Sequence, residues 1–151
     1  MIGALMMMGT AAPAGMDDVI LQVTGQIGGD TVEFDREALQ ALPQMTIETS
    51  TVVTDGRHSF TGVLMRDLLE HVEAGGEQVI ATALNDYVVE IPKADFDDFD
   101  VIVAHSMDGK PLRRNGKGPL WIVYPRDDHE VLQDIRYDYR WVWQLSRLEV
   151  Q

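Results

Sequence analysis

Phe60-Thr-Gly-Val-Leu-Met-Arg-Asp-Leu-Leu69 carries the onset of a helix in a chain otherwise dominated by strand-like stretches. From Leu64 the apolar residues fall at 64, 65, 68, 69 and 72, the spacing of one helical face. Gly75-Gly76 ends it. Upstream, residues 45–53 are rich in Thr, Val and Ile and predict a strand, broken by Asp55-Gly56. Further back, residues 19–24 alternate apolar and polar. Gly28-Gly29-Asp30 is a turn signal, and 31–34 return as the second arm of a hairpin. Asp35 is placed to cap a short helix that Pro43 ends.

Downstream, residues 79–84 and 87–91 read as two strands around the turn-forming pair Asn85-Asp86. A short helix over 93–99 and a buried strand over 101–104 follow. Asp108-Gly109 and Asn115-Gly116 mark turns. A strand over 120–124 is ended by Pro125, residues 130–137 are ambiguous with some helical character, and 141–150 read as a final strand. Short strands with a few short helices give a mixed, irregular, β-rich α+β domain.

The chain has 151 residues, enough to bury a sizeable core without a metal or disulfide staple. It contains no cysteine, which excludes disulfides, zinc–thiolate sites and thiol nucleophiles. Its net charge of −13 argues against nucleic acid and anionic membranes as partners, since both need clustered Lys and Arg. Asp95, Asp97, Asp98 and Asp100 form an acidic run that reads as a solvated face, without the spacing of a calcium loop. Residues 2–9 are apolar and Ala12-Pro-Ala14 is a small-x-small pattern. Residues 1–14 are therefore expected to be the remnant of a secretory signal peptide, and 15–151 a single mature domain outside the cytoplasm.

No enzyme template stands out. His58, His71, His105 and His129 could serve as bases, but no Gly-x-Ser-x-Gly elbow accompanies them, and there is no phosphate-cradling Gly-rich loop. Three segments are more suggestive. Asn85-Asp86-Tyr87 is either an Asx turn with a packed tyrosine or a recognition loop whose carboxylate takes two parallel N–H bonds. Lys117-Gly-Pro-Leu-Trp121 is a rigid strand entry, with Trp121 as core or as ligand wall. In Arg140-Trp-Val-Trp-Gln144, regular alternation puts Arg140 and Trp143 on opposite faces, so a bulge or strand end is needed for both to meet one ligand.

Four pieces in order, Phe60–Leu69, Asp108-Gly-Lys-Pro-Leu112, Gly118-Pro-Leu-Trp-Ile-Val-Tyr-Pro125 and Trp143-Gln-Leu-Ser-Arg-Leu-Glu-Val150, resemble the molybdopterin-binding domain of the sulfite oxidase family. The resemblance runs from Val19 to Val150 and implies an α+β fold built around a small β-barrel or sandwich with a pterin pocket. In that family a cysteine thiolate binds molybdenum a few residues before the motif that begins here at Phe60. Counting back places Ser50 there, so the soft ligand is missing.

A pterin pocket without the metal is similar to the stand-alone periplasmic pterin-binding proteins of the PruR type. These bind a reduced pterin such as tetrahydromonapterin and report to the periplasmic domain of a membrane-bound cyclic-di-GMP enzyme. By this resemblance Asn85, Asp86, Tyr87, Lys117, Trp121, Arg140 and Trp143 are pocket candidates, with Ser50 where the metal sits in the enzymes. The chemistry is compatible. Asp86 could accept from a pterin amino group and N3–H, Arg140 or Lys117 could donate to its carbonyl and N5 side, and the faces want an aromatic platform. The resemblance thus implies a metal-free pterin sensor. A small molybdopterin-dependent oxidoreductase using Ser50 or no protein ligand, and an interaction module with a vestigial pocket, are the alternatives.

Overall fold

The computed structural model describes residues 19–151, so the expected signal-peptide remnant lies outside the described residues. Two five-stranded sheets form the frame. In the first, β1 (Val19–Gly25) lies between β2 (Val32–Asp35) and the last strand, β10 (Leu145–Val150). β5 (Gln78–Ala83) and β6 (Val88–Pro92) complete the order β2-β1-β10-β5-β6. Only the β1–β10 pairing is parallel in this sheet, which locks the two ends of the described chain side by side.

The second sheet runs β3 (Gln44–Ser50), β4 (Arg57–Leu64), β7 (Ile102–Met107) and β8 (Lys110–Pro111), with β9 (Trp121–Val123) also paired to β7. The mixed α+β, sheet-rich class expected from the sequence is the one observed. Among the described residues four short α-helices fill the connections: α1 (Arg36–Gln40), α2 (Met65–His71), α3 (Ala94–Asp98) and α4 (Ile135–Asp138).

Local chemistry explains most of these elements. The Asp35 carboxylate accepts from the Ala38 N–H at 2.7 Å and starts α1, satisfying one of the otherwise unpaired donors at a helix N-terminus. Helix α2 buries Met65, Leu68 and Leu69, the face that the 64–72 spacing defines. Asn85-Asp86 closes the β5–β6 hairpin, with the Ala83 N–H donating to Tyr87 O and the Asp86 N–H to Ala83 O.

Three boundaries differ from the sequence reading. The strand expected over 45–53 stops at Ser50, whose side chain is drawn to Asp127. β4 is an element that periodicity does not reveal. A register shift between Thr61 and Gly62 breaks its alternation, and a Cβ at Gly62 would collide with the Val103 carbonyl on β7. The final strand begins at Leu145, not 141, because Gln144 sits at φ 53°, a left-handed conformation that ends regular extension.

The stretch before β10 joins the two sheets. Trp143 makes an isolated antiparallel bridge to Trp121. Ile122 N–H donates to Val142 O, and Leu145 N–H to Leu120 O, both at 2.9 Å. At Gly118 two backbones approach closely: a Cβ there would stand 2.5 Å from the Leu112 carbonyl carbon. The core lies between the sheets, with Phe60, Phe96, Trp121 and Tyr124 fully buried.

Candidate functional site

The residues nominated from sequence separate into five places. Asn85, Tyr87 and Trp143 come together. They line a cavity of about 270 Å3 with Ala83, Asp138, Tyr139, Trp141 and Val142. It sits between the β5–β6 turn and the segment that leads from α4 into β10. Its rim is aromatic: Tyr87, Tyr139 and Trp143 are 45, 58 and 38% exposed, whereas Trp141 is buried. The Tyr87 hydroxyl donates to the Tyr139 carbonyl at 3.3 Å and ties the two sides together. Asn85 does not reach into the cavity with a free amide oxygen, since that oxygen accepts from the Tyr87 N–H at 3.2 Å in an Asx turn.

Asp86 faces elsewhere. Held at φ 68°, it borders a separate hollow on the outer face of the first sheet, with Arg114, Ser146 and Arg147. Lys117 and Trp121 border a third hollow of about 490 Å3, beside Lys110 and Arg113. Lys117 Nζ stands 5.3 Å from the Trp143 ring centre and 5.8 Å from that of Trp121, so it is a cation over both indoles. Trp143 therefore both lines the 270 Å3 cavity and carries a lysine close to its ring. Trp121 is the aromatic hub, with Phe60, Trp141 and Trp143 at 5.3, 6.2 and 6.4 Å in edge-on arrangements.

Arg140 turns inward. Its Nη1 donates to Asp95 Oδ2 at 2.6 Å, and its guanidinium lies 4.6 Å from the Tyr137 ring centre. The Tyr124 hydroxyl donates to the same Asp95 oxygen at 2.7 Å. Burial, reinforced by the neighbouring Asp95 charge, pushes the Tyr124 phenol far up, so it remains a protonated donor. Two of the four acidic residues in the run at 95–100 thus have specific partners, because Asp100 accepts from Arg66 at 2.7 Å.

Ser50 lies at the end of β3 and does not line the 270 Å3 cavity. Its hydroxyl donates to Asp127 Oδ1 at 2.5 Å and its N–H donates to Oδ2 at 2.9 Å. Arg57 stands 3.5 Å from the same carboxylate. The Ser50 hydroxyl above all, helped by its N–H and by Arg57, holds the Asp127 carboxyl below its usual range against burial, which pushes it up. No imidazole completes a serine triad here. His58 pairs with Asp108 at 2.6 Å, and the buried His105 is held between Gln44 and Ser106.

The sequence reading missed Asp138 and Trp141 as cavity residues. Their positions depend on the 3-10 turns at 126–128 and 130–133 and the single turn of α4, none of which leaves a clean periodicity.

Two sheets stitched by a tryptophan bridge, with an aromatic-walled cavity beside the stitch, make up a β-rich domain. The chain belongs to the oxidoreductase molybdopterin-binding domain family, which matches residues 10–150. Among solved structures it is similar to the sulfane dehydrogenase SoxCD from Paracoccus pantotrophus, at 20% identity and a TM-score of 0.66. That match covers 86% of this chain but only 37% of the other. The likeness shows the sulfite oxidase-type fold. No curated protein matches the chain.

The family implies a molybdenum-bearing pterin, and the donor set can be tested against the metal. The chain has no thiolate to offer. Ser50, the residue at the expected ligand position, donates a hydrogen bond from its hydroxyl to the Asp127 carboxylate. Forming an alkoxide there would set two negative charges 2.5 Å apart. Among the described residues no group of three or more His, Asp or Glu is placed to hold a metal ion. The residues do not fit a protein-ligated molybdenum centre.

Proposed function

We propose that this protein binds a reduced pterin such as tetrahydromonapterin without metal, and acts as a sensor rather than a catalyst. In this reading it works in the periplasm and signals ligand occupancy to the periplasmic domain of a membrane-bound cyclic-di-GMP enzyme. The observation that carries the metal-free reading is Ser50, hydrogen-bonded through both hydroxyl and N–H to Asp127 where the family's enzymes use a thiolate.

Family membership supports the choice of a pterin, as does a cavity of about 270 Å3 with Tyr87, Tyr139 and Trp143 at its rim. That size suits a bicyclic ring and lies just below the roughly 300–1,000 Å3 of typical ligand sites. A pterin without phosphate also meets little repulsion from a chain of net charge −13. The small-x-small pattern at 12–14 supports export, and the PruR-type resemblance supports the partner. Among the described residues no helix is long and apolar enough to cross a membrane.

The test is to purify the full chain from its native host, denature it, and assay the supernatant for pterin and molybdenum. Pterin released without stoichiometric molybdenum supports the proposal. Stoichiometric molybdenum, or no pterin together with no binding of added reduced pterin, contradicts it.

A further inference from the structure

Cations are the scarce charge in this chain, which has 12 Lys and Arg against 25 Asp and Glu. Four of them nevertheless fall within Lys110-Pro-Leu-Arg-Arg-Asn-Gly-Lys117, a stretch without one acidic residue. Among the described residues none of these four is in an ion pair, although Arg57, Arg66, Arg136 and Arg140 all are. Lys110, Arg113 and Lys117 line the hollow of about 490 Å3, and the first two are exposed. The one carboxylate at that hollow, Asp108, is already engaged by His58 at 2.6 Å and by the Ser59 N–H at 3.0 Å.

The loop that carries these cations is held in place. The Gly116 and Gly118 N–H groups both donate to Arg113 O, at 2.9 and 2.8 Å. The Gln144 side-chain amide donates to Arg114 O and to Gly116 O, each at 2.9 Å, and the Gln144 N–H donates to Lys117 O at 2.9 Å. Like charges fixed side by side in the free protein are preorganised for an anionic partner, which relieves their repulsion on arrival. An acidic segment is repelled by the rest of a chain of net charge −13 and attracted only here, which fixes one docking orientation. Nucleic acid is a poorer match, because a long polyanion would also meet the surrounding negative surface.

The same loop touches the proposed pterin cavity. Lys117 Nζ lies 5.3 Å from the ring centre of Trp143, a cavity residue, and Gln144, which clamps the loop, is the next residue in the chain. We infer that the hollow under residues 110–117 docks an acidic segment of a protein partner, and that Lys117 and Gln144 couple this docking to occupancy of the cavity. A ligand resting on Trp143 steadies the indole and with it the lysine above, so one cation of the docking surface is ordered before the partner arrives. Coupling of this kind is reciprocal: the docked segment tightens the ligand by the same factor. The docking surface stands on the charge pattern alone, and only the coupling rests on the proposed pterin binding.

The experiment titrates the full chain into a fluorescently labelled peptide of alternating Glu and Asp and follows its anisotropy. The expected result is binding that weakens about tenfold or more between about 50 and about 300 mM sodium chloride. Arg113→Glu weakens it about tenfold or more, while Arg147→Glu, the same charge change on β10, weakens it less than about threefold. Both positions are exposed, so both variants are expected to fold. Saturating reduced 6-hydroxymethylpterin tightens the peptide about two- to fivefold, the scale of one exposed cation–π contact, and Lys117→Gln removes that gain. No wild-type binding up to about 1 mM at low salt, or equal losses in Arg113→Glu and Arg147→Glu, overturns the docking surface. Displacement of the peptide by an equal concentration of inorganic phosphate also overturns it, and assigns the hollow to a small anion. Peptide binding unchanged by pterin, in protein whose tryptophan fluorescence shows the pterin bound, overturns the coupling alone. Peptide binding by protein that takes up no pterin overturns the pterin reading and leaves the docking surface standing.

Discussion

Arg140 and Asp95 form an ion pair of 2.6 Å across 45 residues of sequence, with side chains only 23 and 9% exposed. Arg140 is therefore a positioning residue for the segment carrying Trp141 and Trp143, rather than a cation free to meet a ligand. Removing one member of a buried pair leaves the other charge uncompensated, at a cost of about 3–5 kcal/mol. The residual exposure of Arg140 places the expected effect at the lower end. Arg140→Ala should lower the urea midpoint accordingly, while Arg140→Lys recovers part of the loss. Equal midpoints for the wild type and Arg140→Ala would refute the clamp.

Trp143 is 38% exposed and covered by Lys117 at 5.3 Å, so it contributes a face to the ligand more than it supports the fold. Trp143→Ala should weaken pterin binding about three- to tenfold, the scale of an aromatic face contact. Its thermal midpoint should move far less than that of Trp121→Ala, whose ring is fully buried against three other aromatics. Calorimetric titration and a thermal melt on both variants check this.

Ser50 and Asp127 supply a contrast. Because Ser50 does not line the 270 Å3 cavity, Ser50→Ala should leave pterin affinity within about twofold. It should instead raise the Asp127 pKa, since the Ser50 hydroxyl is the main influence holding that carboxyl low. An NMR titration of the Asp127 carboxyl carbon reads this. The sign for stability follows: a depressed carboxyl stabilises the fold above its unfolded pKa and loses that contribution as pH falls through the folded value. The variant should therefore show a weaker acid-side loss of stability.

Two histidines act in opposite senses. The Asp108 carboxylate, and then the Asp55 carbonyl, raise the pKa of His58. Its stabilising contribution is present below about pH 6.5 and fades as pH rises through the raised value. Burial, and then Arg36, lower that of His105, so the folded state resists its protonation and stability falls as pH drops below about 6.5. His58→Gln should flatten the alkaline side of the stability profile and His105→Gln the acidic side, measured by denaturation midpoints between pH 5 and 8.

The parts of the fold legible in the sequence are those set by local chemistry. The Asp35 cap, the 64–72 helical face and the Asn85-Asp86 hairpin all stand where residue type puts them. β4 is hidden because Gly62 occupies a core position only a hydrogen can fill, next to a register shift that inverts the alternation. The candidate site was legible only in part for a related reason. Asn85, Tyr87 and Trp143 converge, but the direction of Asp86 depends on its positive φ, and the inward turn of Arg140 depends on a distant aspartate. Asp138 reaches the cavity from a one-turn helix after two 3-10 turns, a segment with no period to read.

The central claim is that this molybdopterin-domain chain takes the pterin without the metal. Its most direct measurement is a titration of metal-free protein with reduced 6-hydroxymethylpterin, followed by quenching of tryptophan fluorescence. Saturable quenching at one pterin per chain, unchanged by added molybdate, is the predicted result. No quenching by the pterin alone, with binding appearing only for a molybdenum-loaded pterin, would contradict it.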